Sequence, residues 1–500
     1  MDTLVVVTAL PTMAGELGGR GQASWVITAY MLAATAAAPI LGKLGDLFGR
    51  RQLNQVSVVW FISASVLCGL AQDINQLIVA RALQGIGGAG LSVLPMALIA
   101  DIAPARQRAR YQGVLGASFT AAMLIGPIVG GFFVDHSSWR GVFFINVPFG
   151  LLALAASTRM AVPRLERIRR SIDWLGSLVL VGATVCLLLV VTLGGSSHTW
   201  GLPINIGLTV TAIVLIVTFL RVEARVPEPV LPLRLFRDWN FVTLSLGAFF
   251  FAAGVFGAWT ILPLFLQTVG GYSATNAGLL LIPLLLTSTA TSIICGNLIS
   301  RYDRSKIFPV TGMGLIVIGF FLCSTMGTST SLPQIALYEA IAGIGLGMNM
   351  QVLVIIVQGV VARLDIGVAT AAISFFRQLG GVFGSAIALS IFNSVLDGRL
   401  SETFSVAERA TIEPAALEGI PAAIRGLAED VQLPLLNAFA DAMQVAFVAL
   451  VPVGIAGFLV LAFLREVRIG DGHGDTSPLV ANTHEATRAV QDEPNQIGES

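Results

Sequence analysis

The main feature of the chain is a series of long apolar runs separated by short polar segments. The run over residues 241–266, for example, contains no charged residue. A helix of about 20 apolar residues crosses the hydrocarbon core of a bilayer, which is about 30 Å thick. The pattern predicts fourteen membrane-spanning helices, at residues 1–14, 24–41, 55–71, 77–100, 111–134, 141–160, 172–194, 203–220, 239–266, 275–299, 306–327, 332–358, 366–396 and 436–464. The chain is therefore predicted to be an all-α integral membrane protein.

The composition agrees with this prediction and excludes several classes of protein. Only 12% of the residues are charged, whereas soluble proteins carry about 25%. Basic and acidic residues both number 29, so no net positive field favours a nucleic-acid partner. The four cysteines lie inside apolar runs without CxxC spacing, which favours neither a disulfide framework nor a zinc site. We exclude a soluble enzyme, a secreted disulfide scaffold and a disordered hub, and we expect no metal.

The positions of the basic residues predict the orientation in the membrane. Nineteen arginines and lysines lie in or beside alternate loops, at residues 42–54, 101–110, 160–171, 221–238, 300–306 and 359–365. The short loops on the opposite side hold only Arg20 and Arg140. Short loops rich in positive charge stay in the cytoplasm. With an even number of spans, both termini are predicted to be cytoplasmic, with the protein in the inner (plasma) membrane.

Two parts of the chain resemble each other at a separation of 254 to 258 residues. Arg81 matches Glu339 in position, and Gly85 matches Gly343. Repeats of this kind build transporters whose site lies between the two halves. The repeat predicts an N-terminal six-helix bundle (1–160), two inserted spans (172–220), a C-terminal six-helix bundle (239–464) with an outer loop (397–434), and a disordered cytoplasmic tail (470–500).

The repeat also predicts that the first span is truncated. The ninth span begins near Trp239, so its partner is expected to begin about fifteen residues before Met1. The apolar residues present in the first span are too few to cross a bilayer. In the outer loop, the spacing of apolar residues and prolines predicts one or two short amphipathic helices, and the alternative is a disordered linker.

The loop between the second and third spans carries a compact motif, which we call the latch. It consists of Gly42, Asp46, Gly49, Arg50 and Arg51. Glycines permit a tight turn, and Asp46 and Arg50 are four residues apart, which allows them to pair if the turn is helical. The latch is predicted to hold one conformational state and to release in another. The alternative is an ordinary positively charged cytoplasmic loop.

Four ionisable side chains are predicted to lie inside the membrane, namely Asp2, Arg81, Glu339 and Arg377. Such residues are costly and are usually functional, so Arg81 and Asp2 are predicted to couple transport to protons. Arg81 has the alternative of binding backbone carbonyls, and Asp2 that of being a surface carboxyl beside the terminal amine. Glu339 either takes part in a proton or substrate pathway or extends to the outer interface.

Further candidate residues are polar or small. The proline and glycines of the fifth span (Gly126, Pro127, Gly130 and Gly131) are predicted to let that helix bend and slide, with a generic kink as the alternative. A G-x-G-x-x-G pattern at residues 85–90 lies inside an apolar helix, so no dinucleotide cofactor is expected. A substrate or proton pathway is predicted along Gln84, Asn349, Gln351, Arg377 and Gln378, whose alternative role is structural pairing between helices.

Together these motifs resemble the major facilitator superfamily, and within it the fourteen-span drug:proton antiporters of the EmrB/QacA type. The latch sequence is similar to the superfamily signature, and residues 77–87 look like the helix 4 motif, whose arginine is implicated in proton coupling. Residues 126–131 look like the antiporter motif of exporters. Segments typical of the fourteen-span group are found at residues 2–11, 139–148 and 376–381. The resemblance implies a major facilitator fold of two six-helix bundles with two helices inserted between them.

The chain departs from the fourteen-span pattern at several positions. Leu4 and Val7 stand where the first motif usually has Thr and Asn, and Ala122 and Gly141 replace a usual Gly and a usual Trp. The tenth span has no acidic residue, whereas some members that favour dicationic drugs carry one there. A strongly dicationic substrate is therefore less expected.

The sequence therefore predicts a proton-coupled exporter of multiple drugs or other amphipathic compounds that works by alternating access. Its expected partners are a small amphipathic or cationic substrate, protons and the lipid bilayer, and it is expected to act as a monomer with the proton gradient as its energy source. The alternative cargo is an endogenous lipid, siderophore or other metabolite. The predicted spans hold no cluster of histidines or carboxylates, so an enzyme is not expected. A receptor or scaffold would not need the paired halves.

Overall fold

The structure is a computed structural model of the chain. It describes residues 5–6, 9–10, 12–13, 16–17, 22–103, 105–159, 173–197, 203–226, 229–272, 274–302, 304–417 and 421–467. These described residues form an all-helical fold without a strand. Asp2 and the predicted tail 470–500 lie outside them, so the predictions for both stay untested.

Long helices account for most of the described chain. The α-helices are α1 (Ala23–Phe48), α2 (Arg50–Leu70), α3 (Ile74–Ile102), α4 (Ala105–His136), α5 (Gly141–Phe144), α6 (Asn146–Arg159), α7 (Trp174–Ser197), α8 (Pro203–Glu223), α9 (Trp239–Thr268), α10 (Ala274–Leu280), α11 (Ile282–Tyr302), α12 (Ile307–Cys323), α13 (Leu332–Met350), α14 (Val352–Val360), α15 (Ile366–Thr403), α16 (Val406–Thr411), α17 (Pro414–Leu417), α18 (Pro421–Arg425) and α19 (Glu429–Ala462). Short 3₁₀ helices lie at Leu233–Arg237 and Arg363–Asp365. Within the described residues, 11 helical stretches are long and apolar enough to cross a membrane.

The second to fourteenth predicted spans each coincide with a described helix or helix pair. Three of them are interrupted at a single residue, namely Ile145, Leu281 and Gln351. Two interruptions have a local cause, because Pro148 and Pro283 lie in the first turn of the helix that follows. Proline has no N–H and is tolerated there but not in a helix interior.

The prediction for the outer loop was wrong in detail. The helix before the loop continues to Thr403 and the helix after it begins at Glu429, so the loop is shorter than predicted. It contains three short helices, α16 to α18, rather than one or two. Ile412, Ala416 and Ile424 are buried and join the large apolar core, which explains why this segment is ordered.

The long helices pack in two sets. The first helix group (α1, α2, α3 and α6) is linked by contacts of α3 with α1 and α2, and of α2 with α6. The second helix group (α9, α11, α12, α13, α15 and α19) surrounds the largest apolar core. The groups meet where α1 packs against α15. Helix α4, which belongs to neither group as defined, packs against α11 of the second group. Helix α7, from the predicted insertion, contacts both α1 and α15.

Candidate functional site

The latch forms a buried ion-pair network at the junction of α1 and α2. Gly49 has a positive φ of 98°, a conformation that glycine adopts without a steric penalty, and it turns the chain so that Arg50 faces Asp46. The Arg50 guanidinium donates to Asp46 Oδ1 at 2.8 and 3.0 Å, to Asp101 Oδ1 at 2.7 Å and to the carbonyl of Ala97 at 2.9 Å. Only 3% of the Arg50 side chain is exposed.

The carboxylate of Asp46 also joins the two helix groups. Its Oδ2 accepts a hydrogen bond from the backbone N–H of Val368 at 2.9 Å, near the N-terminus of α15, where the helix dipole favours a negative charge. Gly42 approaches α15 so closely that an added Cβ would meet the side chain of Ala371. Arg51 donates to the carbonyls of Ser157 and Thr158 in α6. The groups are therefore held together at the end that carries the basic loops.

Arg81 lies in a polar pocket within the first helix group. It is fully buried, donates to Gln84 Oε1 at 2.5 Å and to the carbonyl of Val26 at 3.2 Å, and its guanidinium carbon lies 4.3 Å from the ring centroid of Tyr30. Gln84 in turn donates to Ser65 Oγ at 2.7 Å. Both readings of Arg81 thus find support, since it binds a backbone carbonyl and also belongs to a polar network.

Sequence reasoning missed Ser65, Tyr30 and Asn146 as members of this network. Asn146 donates to Ser65 Oγ at 3.3 Å, which extends the network from Arg81 to the start of α6. The available signal was weak, because a single serine or asparagine in an apolar run also occurs where it only bonds its own helix.

Glu339 occupies the matching position in the second helix group, with very different surroundings. Only 1% of it is exposed, so it does not extend to the outer interface. Neither carboxyl oxygen has a hydrogen-bond partner among the described residues. It lines a cavity of about 30 Å³ whose other walls include Trp259, Phe320 and Phe447. Among the residues that the structure describes, no other carboxylate and no basic side chain lines this cavity.

Some of the predicted pathway residues lie where the helix groups meet, and others do not. Thr35 of α1 donates to Gln378 Oε1 of α15 at 3.3 Å, and Gln351 packs beside Gly116 of α4. Asn349, by contrast, donates to the carbonyl of Gly345 in its own helix. Arg377 donates at 3.3 Å to the carbonyl of Met350, inside the second group.

A further polar junction links α14 with α3 and α15. Gln358 of α14 donates to the carbonyl of Met96 in α3 at 3.1 Å and to Thr370 Oγ1 at 3.1 Å. Gln112 of α4 donates to the same carbonyl at 3.0 Å. Gln358 and Met96 are 262 residues apart in sequence, so no local pattern could have identified this partner of Gln358.

The proline–glycine motif lies inside α4. Gly126 and Gly130 are buried, but α4 runs as one uninterrupted helix through the motif. A Cβ on Gly131 would meet no atom within 4 Å. The close approach to α11 occurs instead at Gly113 and Gly116, where an added Cβ would contact Ser292. Whether the motif permits sliding stays a prediction.

The geometry defines a class of protein before any comparison is made. The structure combines helices long enough to span a membrane, two packed helix groups joined by a polar contact, and ionisable groups buried within those helices. These are features of a multi-pass membrane transporter. Within the described ranges, no three His, Cys, Asp or Glu side chains are grouped to hold a metal ion.

A family model described as Major Facilitator Superfamily matches residues 1–385. The chain therefore belongs to the major facilitator superfamily, whose members are transporters and not enzymes. An MFS-type transporter of Mycobacterium tuberculosis is 39% identical over 476 residues, which cover 95% of this chain and 69% of the relative. Multidrug resistance protein 3 of Bacillus subtilis is 32% identical over 477 residues, covering 94% and 93% of the two chains.

A solved structure confirms the fold. The human organic anion transporter MFSD10 superimposes with a TM-score of 0.60 over 92% of this chain and 96% of the other, at 15% sequence identity. At this low identity the likeness concerns the fold alone. The predicted all-helical major facilitator fold is thus confirmed.

Proposed function

We propose that this protein is a proton-coupled exporter of small amphipathic or cationic compounds, of the fourteen-span drug:proton antiporter type. The observation that carries the proposal is the pair of buried ionisable side chains, Arg81 and Glu339, in predominantly apolar helices. Burial of a charge in a membrane helix is costly and is kept where transport chemistry needs it. Similarity to a protein named for multidrug resistance over 94% of the chain supports drugs as the cargo.

The proposed cycle alternates between two arrangements of the halves, assigned to residues 1–160 and 239–464 with the insertion 172–220 between them. The latch closes the side of the basic loops in the arrangement seen here, because Asp46 binds Arg50 and the Val368 N–H together. Opening that side breaks the bond to Val368 and leaves Asp46 with Arg50. If the basic loops face the cytoplasm, as the charge pattern predicts, this arrangement is closed to the cytoplasm.

Proton coupling is assigned to Asp2 and Arg81. A hydrogen-bonded network runs from Arg81 through Gln84 to Ser65. A proton bound nearby would change the electrostatic potential at these polar groups. We further propose that the protein works as a monomer in the plasma membrane with both termini in the cytoplasm.

The proposal is tested in everted membrane vesicles that contain the full chain and are acidified by respiration. A panel of lipophilic cations and neutral drugs is added while a dye reports the pH gradient. Addition of a substrate is expected to release protons from vesicles with the wild-type protein and not from vesicles without it. Unchanged release in both Asp2→Asn and Arg81→Ala would remove the coupling assignment. No response of the folded wild-type protein to any compound would contradict drug antiport itself.

A further inference from the structure

The carboxyl group of Glu339 is buried without any partner that would stabilise its charge. It lies seven residues after Leu332, the first residue of α13, which places it about 10 Å along the helix axis. An unpaired buried ion costs several kcal/mol of free energy. The group therefore requires either a bound proton or a cation, and among the described residues no cation contacts it.

The cavity beside Glu339 has the chemistry of a site for an organic cation. Five helices of the second group contribute to it, and the walls are the apolar side chains of α9, α11, α12, α13 and α19. Trp259, Phe320 and Phe447 supply aromatic surface, which attracts a cation in addition to burying an apolar body. At about 30 Å³ the cavity has room for a water molecule but not for an organic compound, so the ligand enters only after the helices move.

The titratable groups around Glu339 are few. Cys323 of α12 is the one other titratable side chain among the described residues that line the cavity. Helices α9, α11 and α19 contribute no titratable group to the lining. A positive charge near Glu339 must therefore come from the proton or from a ligand.

We propose that the Glu339 cavity is a monocation-exchange site, where an organic compound with one positive charge and an apolar body replaces the proton on Glu339. The proton passes to water and the ligand's charge takes its place, so the site stays neutral before and after the exchange. A dication would leave one uncompensated charge, and a neutral compound has no charge with which to displace the proton. This inference rests on the proposed function and names its substrate class and a proton-binding residue.

The first test measures proton release by the purified full-length protein in weakly buffered detergent solution. Tetraphenylphosphonium is titrated into the wild-type protein while a dye follows the pH. About one proton is expected to leave per cation bound, and the affinity is expected to fall up to tenfold per unit decrease in pH while the carboxyl is protonated. In Glu339→Gln we expect no proton release and an affinity that no longer depends on pH, with binding at least about tenfold weaker. Glu339→Asp restores proton release.

The matched control is Glu408→Gln, which removes an exposed carboxyl on α16 and leaves release unchanged. Proton release by Glu339→Gln equal to that of the wild type would overturn the inference. So would an absence of tetraphenylphosphonium binding by the wild-type protein.

A second test uses the wild-type protein and does not depend on whether the variant folds. Dicyclohexylcarbodiimide reacts with protonated carboxyls in apolar surroundings, and peptide mapping locates the label. We expect labelling of Glu339 and protection by tetraphenylphosphonium, and labelling that the cation does not reduce contradicts the proposal.

The outcomes separate this inference from the proposed function. Vesicles that exchange drugs for protons equally well with Glu339→Gln support the exporter and refute the exchange site. A wild-type protein that releases protons from Glu339 in detergent but moves no compound in vesicles supports the site and refutes the exporter.

Discussion

Arg81 on α3 and Glu339 on α13 lie at matching positions of the sequence repeat. One is a basic and the other an acidic side chain, and their hydrogen-bonding surroundings differ. Arg81 donates to an amide oxygen and a backbone carbonyl and lies over the ring of Tyr30. Glu339 is equally buried, but its two oxygens have no partner in the described part of the chain. Fixed dipoles contact the buried Arg81 guanidinium, whereas nothing in the described part of the chain compensates a charge on Glu339, which is why we propose Glu339 as the proton-exchanging group.

The same helices also show a feature that the repeat preserves, namely a close contact between two helix backbones at a glycine. A Cβ on Gly85 would collide with the carbonyl oxygen of Tyr30, and a Cβ on Gly343, its match, would collide with that of Leu284. Both halves thus use a glycine to bring two helix backbones into close contact. Backbone packing is repeated between the halves, and polar chemistry is not.

The largest effect is expected for Arg81→Ala. The change leaves Gln84 Oε1 and the carbonyl of Val26 without this buried donor, so we expect destabilisation of about 3 kcal/mol or more. Thermal unfolding in detergent measures it, and Arg81→Lys, which keeps the charge, serves as the control with a smaller loss. Stability equal to that of the wild type would mean that the network is not structural.

Glu339→Leu is expected to change stability in the opposite direction. Replacing an unpartnered buried ionisable group by an apolar one of similar size is neutral or stabilising by about 1–3 kcal/mol. The same unfolding assay compares Leu with Gln at this position. A loss of stability as large as that of Arg81→Ala would mean that Glu339 has a partner, and it would contradict the difference in pairing between the two sites.

The matched glycines test the shared backbone packing. Gly85→Ala and Gly343→Ala are each expected to cost about 1–3 kcal/mol, because the new methyl group forces a helix backbone to move. Gly207→Ala in α8, where a Cβ meets nothing within 4 Å, is the control and is expected to be neutral or slightly stabilising. If only one of the matched variants loses stability, the halves are less alike than the repeat suggests.

Asp46→Asn extends the comparison to a buried carboxylate that, unlike Glu339, is paired with an arginine. The amide still accepts from Val368, but the charge-assisted bonds to Arg50 are lost, so the closed arrangement is expected to weaken by about 1–2 kcal/mol. Cysteine labelling at Val368→Cys, where a smaller side chain replaces a buried one and the backbone N–H to Asp46 is kept, is measured with and without Asp46→Asn and reports the opening of this side. Equal labelling rates in both backgrounds would contradict a latch role.

The smallest effect is expected at an exposed carboxyl. Hydrogen bonds from the backbone and side chain of Ser405 hold the pKa of Glu408 below its ordinary value of 4.5. Because the pKa is lower in the folded state, the capping contribution is present above the ordinary value and is lost as the pH falls through the lowered one. Amide hydrogen exchange of α16 measures this loss of stability between pH 6 and pH 3, about the range in which a carboxyl titrates. The control is Ser405→Ala, which is expected to remove the pH dependence of the exchange.

Several local features followed from the chain alone. The length of the apolar runs located the membrane helices, and the four-residue spacing of Asp46 and Arg50 indicated their ion pair. The interruptions at Ile145 and Leu281 were not predicted, although the prolines that follow them are a local signal. The third member of the latch network, Asp101, was missed because it lies 51 residues from Arg50 and carries no local signature.

The sequence by itself determined that the chain is a multi-pass membrane protein, that Arg81 and Glu339 lie in its apolar runs, and that two parts of the chain resemble each other. Tertiary structure alone decided which buried charge is compensated. The reason is physical: periodicity and run length act over a few turns of one helix, whereas the partners of a buried charge come from helices far away in the chain. Arg81 donates to the carbonyl of Val26, 55 residues away, whereas the described residues around Glu339, at the equivalent place, offer no hydrogen-bond partner.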